Sequence, residues 1–542
     1  MNYINEYKKW KESPYLTPEQ KAELEGRAEG EILDRFCQPL SFGTSGLRGV
    51  VGIGTNRLNV FTLLQSIRAY ARSLREGASV VVCRDARLSS DTLARAAACA
   101  LWEEGVRVLW FENATPTPVL SFAVRFYGAD GGINITASHN PQEYNGCKFY
   151  GPNGALLGSD DTDRIFGIMQ RTPMLAPLPE CDLDSGLASG EVKYARCTEE
   201  YIAAVLDCRR DISLLQNTDL RVVYSPFHGV GGSVMPEVFE RAGLKNVWYE
   251  PSQMVPDGHF PTIPNPNPED PRGFALSEKL GQEVNADILI ATDPDADRIA
   301  ASVRDRDGRF VPLSANKTAA LLCDYLLRNY RGENRPAVIK TIVSTHLVDE
   351  VCRSYGAQCY STFTGFKNMA EKLEELPSSE TCLMCFEEAI GYMLCPQVRD
   401  KDGISAALLI CEMAAWYRSR GMTLFDGLQQ LHERYGEYDD FTVNLVRKGV
   451  EGAREIADMM AYLRQNPPDS LLGLKVTLCK DYLSGENTHI KGSDVLEYLF
   501  EGGSRLCVRP SGTEPKIKIY AITRNFSAVD LAQAMAKRLT DR

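Results

Sequence analysis

Four short polar loops carry most of the chemistry this sequence offers. The first, Thr136-Ala137-Ser138-His139-Asn140-Pro141, sets one hydroxyl directly after the apolar run Gly132-Ile133-Asn134-Ile135, and a serine there can carry a phosphoryl group. Ala137 leaves the backbone beside Ser138 uncrowded, His139 and Asn140 suit bonding to phosphoryl oxygens or holding the loop, and Pro141 stops the chain from continuing as a strand. An isolated Ser-His-Asn, by contrast, reads as a plain turn with a capping serine. The second loop is Asp293-Pro294-Asp295-Ala296-Asp297-Arg298. Its alternating carboxylates Asp293, Asp295 and Asp297 can converge on one hard cation, for which Mg²⁺ is the expected ion, while Pro294 stiffens the turn. An EF-hand is excluded, because Arg298 stands where glycine is needed and Arg304 where the closing glutamate belongs. A phosphatase loop with Asp293 as nucleophile remains open on these residues. A solvated acidic turn does not account for them, since carboxylates this dense repel one another unless a cation or arginine sits among them.

The third loop holds Glu387 and Glu388 at the end of an apolar strand. Two adjacent carboxylates there are costly unless hydroxyls or cations meet them, and sugar hydroxyls are good partners. The fourth, Arg509-Pro510-Ser511-Gly512-Thr513-Glu514-Pro515-Lys516, joins a guanidinium, two hydroxyls, a glycine able to take positive φ and a lysine across one turn. That set cradles a dianionic phosphate, although alone it reads equally as a hairpin turn with surface charges.

The elements that must position these loops follow a pattern of apolar strand, polar loop, helix and second strand, which occurs three times. Ser79 to Cys83 leads through a helix to Val106 to Phe111, Leu220 to Tyr224 through Val234 to Ala242 to Val247 to Glu250, and Ala337 to Val343 through His346 to Tyr355 to Gln358 to Ser361. Each unit is followed by a further apolar strand ending in one of the first three loops. Ligand sites in open α/β sheets lie beyond the carboxyl ends of strands, so three such domains imply a shared cleft. After about residue 437 the texture changes to alternating strands, with a hairpin-like pair bracketing the fourth loop and a closing helix from about Ser527, whose spacing to Asp530 suits a cap. The proline-rich stretch 258–270 reads as a loop. The expected architecture is three similar α/β domains with mixed sheets sandwiched by helices, at 1–207, 208–312 and 313–436, plus a smaller C-terminal α+β domain at 437–542, around a central cleft.

Composition narrows the function class. The chain has 542 residues, 44% of them hydrophobic, which suits several domains with large cores. The N-terminus lacks an apolar h-region, and the most apolar stretch, Ala406 to Tyr417, is broken by Glu412 and falls short of a membrane span; a soluble, cytoplasmic protein is the expectation. The sixteen cysteines read as reduced core thiols. The close pair Cys382 and Cys385 lacks a second pair at metal spacing, and strand positions three apart point to opposite faces. A net charge of −12 argues against nucleic-acid or membrane-surface partners, so an anionic substrate must meet a local cluster of arginines and lysines.

Together, TASHNPQEYNGCK, DPDADR, FEEAIGY and RPSGTEPK resemble the signature set of the α-D-phosphohexomutase superfamily, in the family order and over nearly the whole chain. FEEAIGY followed by Asp400-Lys401-Asp402-Gly403-Ile404-Ser405 is similar to the phosphoglucomutase/phosphopentomutase-like branch of bacterial phospho-sugar mutases. The family loop usually reads Gly-Glu-Glu-Ser-Gly, so Phe386 and Ala389 depart from it and put the preferred sugar in doubt. The resemblance implies a phosphorylated Ser138 and an acid/base or phosphate-side role for Lys148. It makes Asp293, Asp295 and Asp297 ligands of Mg²⁺, with an oxygen of phospho-Ser138 as the fourth ligand and Arg298 nearby. It assigns Glu387 and Glu388 to the sugar, and Arg509, Ser511, Gly512, Thr513 and Lys516 to the phosphate that is not transferred.

Looser matches are the glycine-rich loop with Thr44, Ser45 and the active-site arginine Arg48, and Thr364-Gly365-Phe366-Lys367, whose Lys367 resembles a general acid/base. His139 joins the catalytic set. Arg84 to Ser89 reads as a buttress of the first domain, because an aspartate between two arginines makes a satisfied ion cluster, and His228 and His346 read as structural. The implied activity is interconversion of glucose 1-phosphate and glucose 6-phosphate through a phosphoserine enzyme and glucose 1,6-bisphosphate, the latter also serving as activator, in a monomer or homodimer. Phosphopentomutase, phosphomannomutase and hexose-bisphosphate synthase are alternatives within the family. A metal-dependent sugar phosphatase and a non-catalytic sugar-phosphate binder are alternatives outside it.

Overall fold

Val80, Val81, Val82, Ile133, Ile135 and the run Ile288 to Ala291 are all buried, which is why their strands read as near-continuous apolar runs. The structure is a computed structural model that describes residues 2–43, 46–447, 449–511 and 516–541. It forms two compact units, Met1–Pro312 with Ala389–Arg420, and Leu313–Glu388 with Gly421–Arg542.

The first sheet of unit 1 runs in the order Phe42–Gly43, Gly46–Val50, Tyr144–Tyr150, Gly131–Ile135, Ser79–Arg84, Arg107–Trp110, Lys193–Tyr194. Ser79–Arg84 is parallel to both its neighbours, whereas Tyr144–Tyr150 is antiparallel to both of its own. The mixed register matters for chemistry, because it sets Lys148 opposite Asn134 on the strand that leads into Ser138. Helices Val60–Ser73 and Ser90–Glu103 bury Leu63, Leu64, Ile67, Leu93, Ala97 and Leu101 in the same core as Val80, Val82 and Ile133. Asn59 starts the first of these helices with a reciprocal cap to Thr62.

The second sheet of unit 1 runs Phe310–Leu313, Ile299–Arg304, Ile288–Thr292, Arg221–Ser225, Asn246–Tyr249. Ile288–Thr292 lies between an antiparallel and a parallel neighbour, so this sheet is mixed too. The stretch 258–270 forms a loop with no regular element. Helix Gly403–Arg418 belongs to this unit and is buried almost all round. Its Glu412 accepts the backbone N–H groups of Arg210 and Asp211 at 2.7 and 3.0 Å, and Arg418 pairs with Asp219 and Asp287.

In unit 2, Arg335–Thr341 is parallel to both Gln358–Thr362 and Glu380–Glu387. An antiparallel sheet runs Tyr438–Val446, Lys516–Arg524, Arg505–Pro510, Leu496–Phe500, Leu474–Asp481, Ser470–Leu471. Helices Gly449–Gln465 and Ala528–Thr540 cover it, with Met459, Leu463, Leu531 and Met535 in one core with Leu506, Ile517 and Ile519. The Ser527 hydroxyl accepts the Asp530 N–H at 3.2 Å as the cap of the last helix. Under this sheet lies a buried ion cluster: Glu497 meets Arg505 at 2.8 Å, Lys480 at 3.0 Å and the Tyr482 hydroxyl at 2.7 Å.

One geometric expectation is corrected. Cys382 and Cys385 do not point to opposite faces: their sulfurs lie 3.7 Å apart. The ladder explains it, since Cys382 pairs with Ala337 and Met384 with the very next residue, Val338. Leu383 is therefore an extra residue in the strand, and a bulge of this kind reverses the alternation beyond it. All sixteen cysteines are free thiols, and no helix among the described residues is long and apolar enough to cross a membrane.

Candidate active site

Ser138 sits at the carboxyl end of strand Gly131–Ile135, is 2% exposed and has φ +51°, an uncommon left-handed backbone for a residue with a Cβ. Its Oγ donates to Asp293 Oδ2 at 2.7 Å and lies 3.2 Å from His139 Nδ1. Burial, followed by the guanidiniums of Arg298 and Arg48, pushes the His139 imidazole well below its usual value, which favours the neutral ring. Arg48 donates to Asn140 Oδ1 at 3.1 Å and so reaches the same loop.

Asp293, Asp295 and Asp297 are fully buried on the loop after Ile288–Thr292. Three carbonyls of that loop are tied to three different elements: Pro294 by the Val230 N–H at 2.9 Å, Asp295 by Thr117 at 2.9 Å and Ala296 by Gly403 at 3.1 Å. Gly229 makes the first tie possible, because a Cβ there would lie 2.4 Å from Pro294 Cα. Within the loop, the Arg298 N–H donates to Asp293 Oδ1 at 3.0 Å.

One ligand atom from each of the three aspartates lies within 4.8 Å of the others. The charge balance is uneven: burial and then the neighbouring Asp295 and Asp297 drive Asp293 well above the carboxylate range. Burial acts the same way on Asp297, but Lys148, Lys401 and Arg298 together overcome it and bring its carboxyl well below that range. Among the described residues, neither Asp295 Oδ1 nor Asp297 Oδ1 receives a hydrogen bond. Buried carboxylate oxygens that accept no hydrogen bond, at this spacing, are what a hard divalent cation needs, so the residues fit a metal.

Two lysines contact the aspartates beside Arg298. Lys148 Nζ lies 2.7 Å from both Asp295 Oδ2 and Asp297 Oδ2. Burial disfavours its ammonium, yet the two aspartates more than offset this and raise it above its ordinary value. Lys401 Nζ is 3.2 Å from Asp297 Oδ2 and 3.2 Å from Asp400 Oδ1, and Asp400 in turn accepts the Tyr150 hydroxyl at 2.8 Å. No role was expected of Lys401 from its place in the chain. The available signal was a lysine between two aspartates, of which Asp400 and Asp402 are both fully buried.

The Arg84 to Ser89 segment does buttress the first domain, but not as one cluster. Arg84 turns to Asp91 at 2.8 Å, whereas Asp85 pairs with Arg87 alone at 3.2 Å. His228 is buried, with Nε2 2.8 Å from the Thr262 hydroxyl.

In unit 2, Glu387 is buried at the end of its strand and Glu388 accepts the Thr341 hydroxyl at 2.9 Å. Burial and then the Glu388 carboxylate push the Tyr520 phenol up, while the Arg509 guanidinium opposes them. The Ser511 N–H donates to the Lys516 carbonyl at 2.8 Å. Gly365 has φ +106° and precedes helix Phe366–Glu374, with Lys367 in its first turn and the Thr364 carbonyl accepting from Asn368 at 2.9 Å. Thr44, Ser45, Gly512 and Thr513 lie outside the described residues.

Four family models match the chain in sequence order: phosphoglucomutase/phosphomannomutase alpha/beta/alpha domain I at residues 39–175, domain II at 199–308, domain III at 314–435, and the C-terminal domain at 447–538. A phosphoglucomutase of Staphylococcus aureus is 33% identical over 530 residues, spanning 95% of this chain and 94% of that protein. A putative phosphomannomutase from Thermus thermophilus shares the fold with TM-score 0.72 at 24% identity, covering 93% of this chain and all of the other. The open form of parafusin, a phosphoglucomutase from Paramecium, also aligns at TM-score 0.72, with 20% identity over 93% of this chain and 95% of that one.

Proposed function

Because the chain belongs to the phosphoglucomutase/phosphomannomutase family and is a phospho-sugar mutase, we propose that it interconverts glucose 1-phosphate and glucose 6-phosphate through a phosphorylated Ser138. The observation that carries this reading is the 2.7 Å hydrogen bond from the buried Ser138 hydroxyl to Asp293 of the aspartate triad. It supports the reading because the hydroxyl proposed to carry the phosphoryl group then lies beside three buried carboxylates that could hold a cation.

In this reading the bond from phosphorus to Ser138 Oγ breaks as the 6-oxygen of glucose 1-phosphate bonds to phosphorus, giving glucose 1,6-bisphosphate. The bisphosphate turns over, and Ser138 Oγ then takes the phosphoryl group from the 1 position, releasing glucose 6-phosphate. Mg²⁺, held by Asp293, Asp295 and Asp297 with an oxygen of phospho-Ser138, would compensate charge on the transferring group. Lys148 and Arg48 stabilise the same charge, and His139 and Arg298 hold the two loops. The hydroxyl proton passes to a basic side chain, for which Lys148, Arg48 and Lys367 compete, with Lys401 added by its contact with Asp297; pH–rate profiles of the methionine variants tell them apart. Glu387 and Glu388 are assigned to sugar hydroxyls. Arg509, Ser511, Gly512, Thr513 and Lys516 are assigned to the phosphate that stays, and Thr44, Ser45, Thr364 and Gly365 to substrate binding.

The test has two arms, each run with Mg²⁺ and catalytic glucose 1,6-bisphosphate. In the first, kcat/KM is compared for glucose 1-phosphate, mannose 1-phosphate and ribose 1-phosphate, with inorganic phosphate assayed alongside. Preference for glucose is the expected result; preference for mannose or ribose replaces the substrate and keeps the mechanism, and release of inorganic phosphate points to a phosphatase. In the second, Ser138→Ala abolishes turnover and the phosphorylated species seen by intact mass. Retained turnover in that variant sinks the phosphoserine assignment.

A further inference from the structure

Arg87 is a buried arginine outside the residues assigned to substrate, metal or proton transfer, and its side chain is 1% exposed. Its Nη1 donates to the carbonyls of Pro141 at 2.8 Å and Tyr144 at 2.9 Å, and its Nη2 to those of Ser138 at 2.7 Å and of Asn140. Nε faces Asp85 Oδ2 at 3.2 Å, and the Phe260 ring lies 5.2 Å from the guanidinium carbon. The whole fork of the guanidinium is thus directed at one loop and one carboxylate. A lysine has three donors and no plane, and could not reproduce it.

Asp85 continues the network on the other side of Ser138. Its Oδ2 accepts the Thr136 hydroxyl at 2.6 Å, and the same Thr136 oxygen accepts the Ser138 N–H at 2.9 Å. Its Oδ1 accepts the Ser90 hydroxyl at 2.5 Å and the Arg87 N–H at 2.9 Å. One buried ion pair therefore holds the carbonyl of Ser138 directly, through Arg87, and its N–H indirectly, through the Thr136 hydroxyl on Asp85. Between those two anchors the residue keeps its left-handed backbone, from which Oγ reaches Asp293.

We propose that Arg87, with Asp85 and Thr136 as its relay, is a positioning residue for phosphoryl transfer, fixing the Ser138 backbone so that Oγ stays aimed at Asp293. The proposal rests on the reading of Ser138 as the phosphoryl carrier. It adds that the carrier's rate depends on a side chain that touches neither sugar nor phosphate. An alignment error of about 1 Å at a reacting atom costs on the order of 10²-fold in rate, which sets the scale of the effect.

The experiment uses full-length Arg87→Lys and Thr136→Val, the second nearly unchanged in volume. Single-turnover uptake of a phosphoryl group from glucose 1,6-bisphosphate is followed by intact mass, with kcat and KM measured in parallel. Hydrogen exchange is read on peptides covering 136–145. Uptake about 10- to 100-fold slower, with KM changed less than about twofold and faster exchange at 138–144, is the expected result. A folded variant that is phosphorylated at the wild-type rate, or that loses only KM, overturns the proposal. If Arg87→Lys does not fold, Thr136→Val decides by the same criteria. A wild-type protein, first dephosphorylated, that takes up no phosphoryl group refutes the reading of Ser138 as carrier instead, and the positioning claim then stands or falls on loop exchange alone.

Discussion

Lys148→Met should destabilise the metal-free protein far more than the Mg²⁺-loaded one. Lys148 lies 2.7 Å from Asp295 and from Asp297, with side-chain exposures of 5%, 0% and 1% for the three residues. At an effective dielectric of about 20, each contact is worth about 6 kcal/mol of gross attraction, most of it offset by the cost of burying the ions. Removing one member of a buried pair leaves the net penalty, ~3–5 kcal/mol. Lys401 still covers Asp297, so the lower end applies, about 3 kcal/mol. For unit 1, roughly 340 residues, unfolding entropy near 2.1 cal/mol/K per residue converts this to a fall in Tm of about 4 °C.

A divalent cation on the same oxygens supplies the missing positive charge, so the deficit shrinks when Mg²⁺ is bound. By linkage the variant must then bind Mg²⁺ more tightly, by at least about tenfold if half the deficit is recovered. Tryptophan fluorescence isolates the relevant unit, because Trp10, Trp102, Trp110, Trp248 and Trp416 all fall in unit 1. Melts in chelator and in saturating Mg²⁺, with calorimetry for Kd, complete the assay. An identical Tm deficit in both conditions, or weaker Mg²⁺ binding, would refute the idea that lysine and metal compete for Asp295 and Asp297.

Further outcomes follow from the same structure. Burial alone raises Glu497, but Arg505, Lys480 and Tyr482 bring its carboxyl down to about 2 from an ordinary 4.5; a depressed carboxylate stabilises fully above about pH 4.5 and loses that contribution as pH falls toward 2. The difference is about 3 kcal/mol, read as a steep acid limb in exchange protection of 496–508, and Glu497→Gln should flatten it; an unchanged limb contradicts the assignment. Gly229→Ala forces a Cβ to within 2.4 Å of Pro294 Cα, so kcat should drop on the order of 10²-fold as the aspartate loop shifts, and a kcat within about twofold of wild type would show that the loop absorbs the change. Arg509→Met should raise KM for the sugar phosphate about 10- to 100-fold, the value of a lost charge-assisted hydrogen bond, while Ser138 remains phosphorylated; failure to phosphorylate Ser138 would place Arg509 in the wrong step.

What could be read from the sequence is what depends on local physics. Strands buried on both faces must be apolar, so Val80 to Val82 and Ile288 to Ala291 announce themselves, and the polar residues after them mark loop mouths. Register is different, because it is a property of two strands. Nothing near Leu383 in the chain signals that it is an extra residue, since the bulge exists only relative to Ala337 and Val338, and the alternation argument for Cys382 and Cys385 failed for that reason. Helix Gly403–Arg418 is apolar on nearly every side, so its sequence forecasts burial and says nothing about what buries it. Lys401 was missed on the same ground: its contact with Asp297 spans about a hundred residues and has no local period.

The site shows why the unreadable part matters for function. Ser138 and Ala296 both take left-handed backbone, with φ +51° and +56°, where a residue with a Cβ is held at a cost of about 1–2 kcal/mol. No local preference supports either conformation, so each must be imposed from outside. Ser138 is held through its own N–H and carbonyl by Thr136 and Arg87. Ala296 is held through its carbonyl by Gly403, and its neighbours Pro294 and Asp295 by Val230 and Thr117. The anchors come from separate stretches of the chain, and therefore form only when the unit has folded. A hydroxyl aimed at a buried aspartate is thus a tertiary product, and the loop motifs name its atoms without containing the forces that aim them.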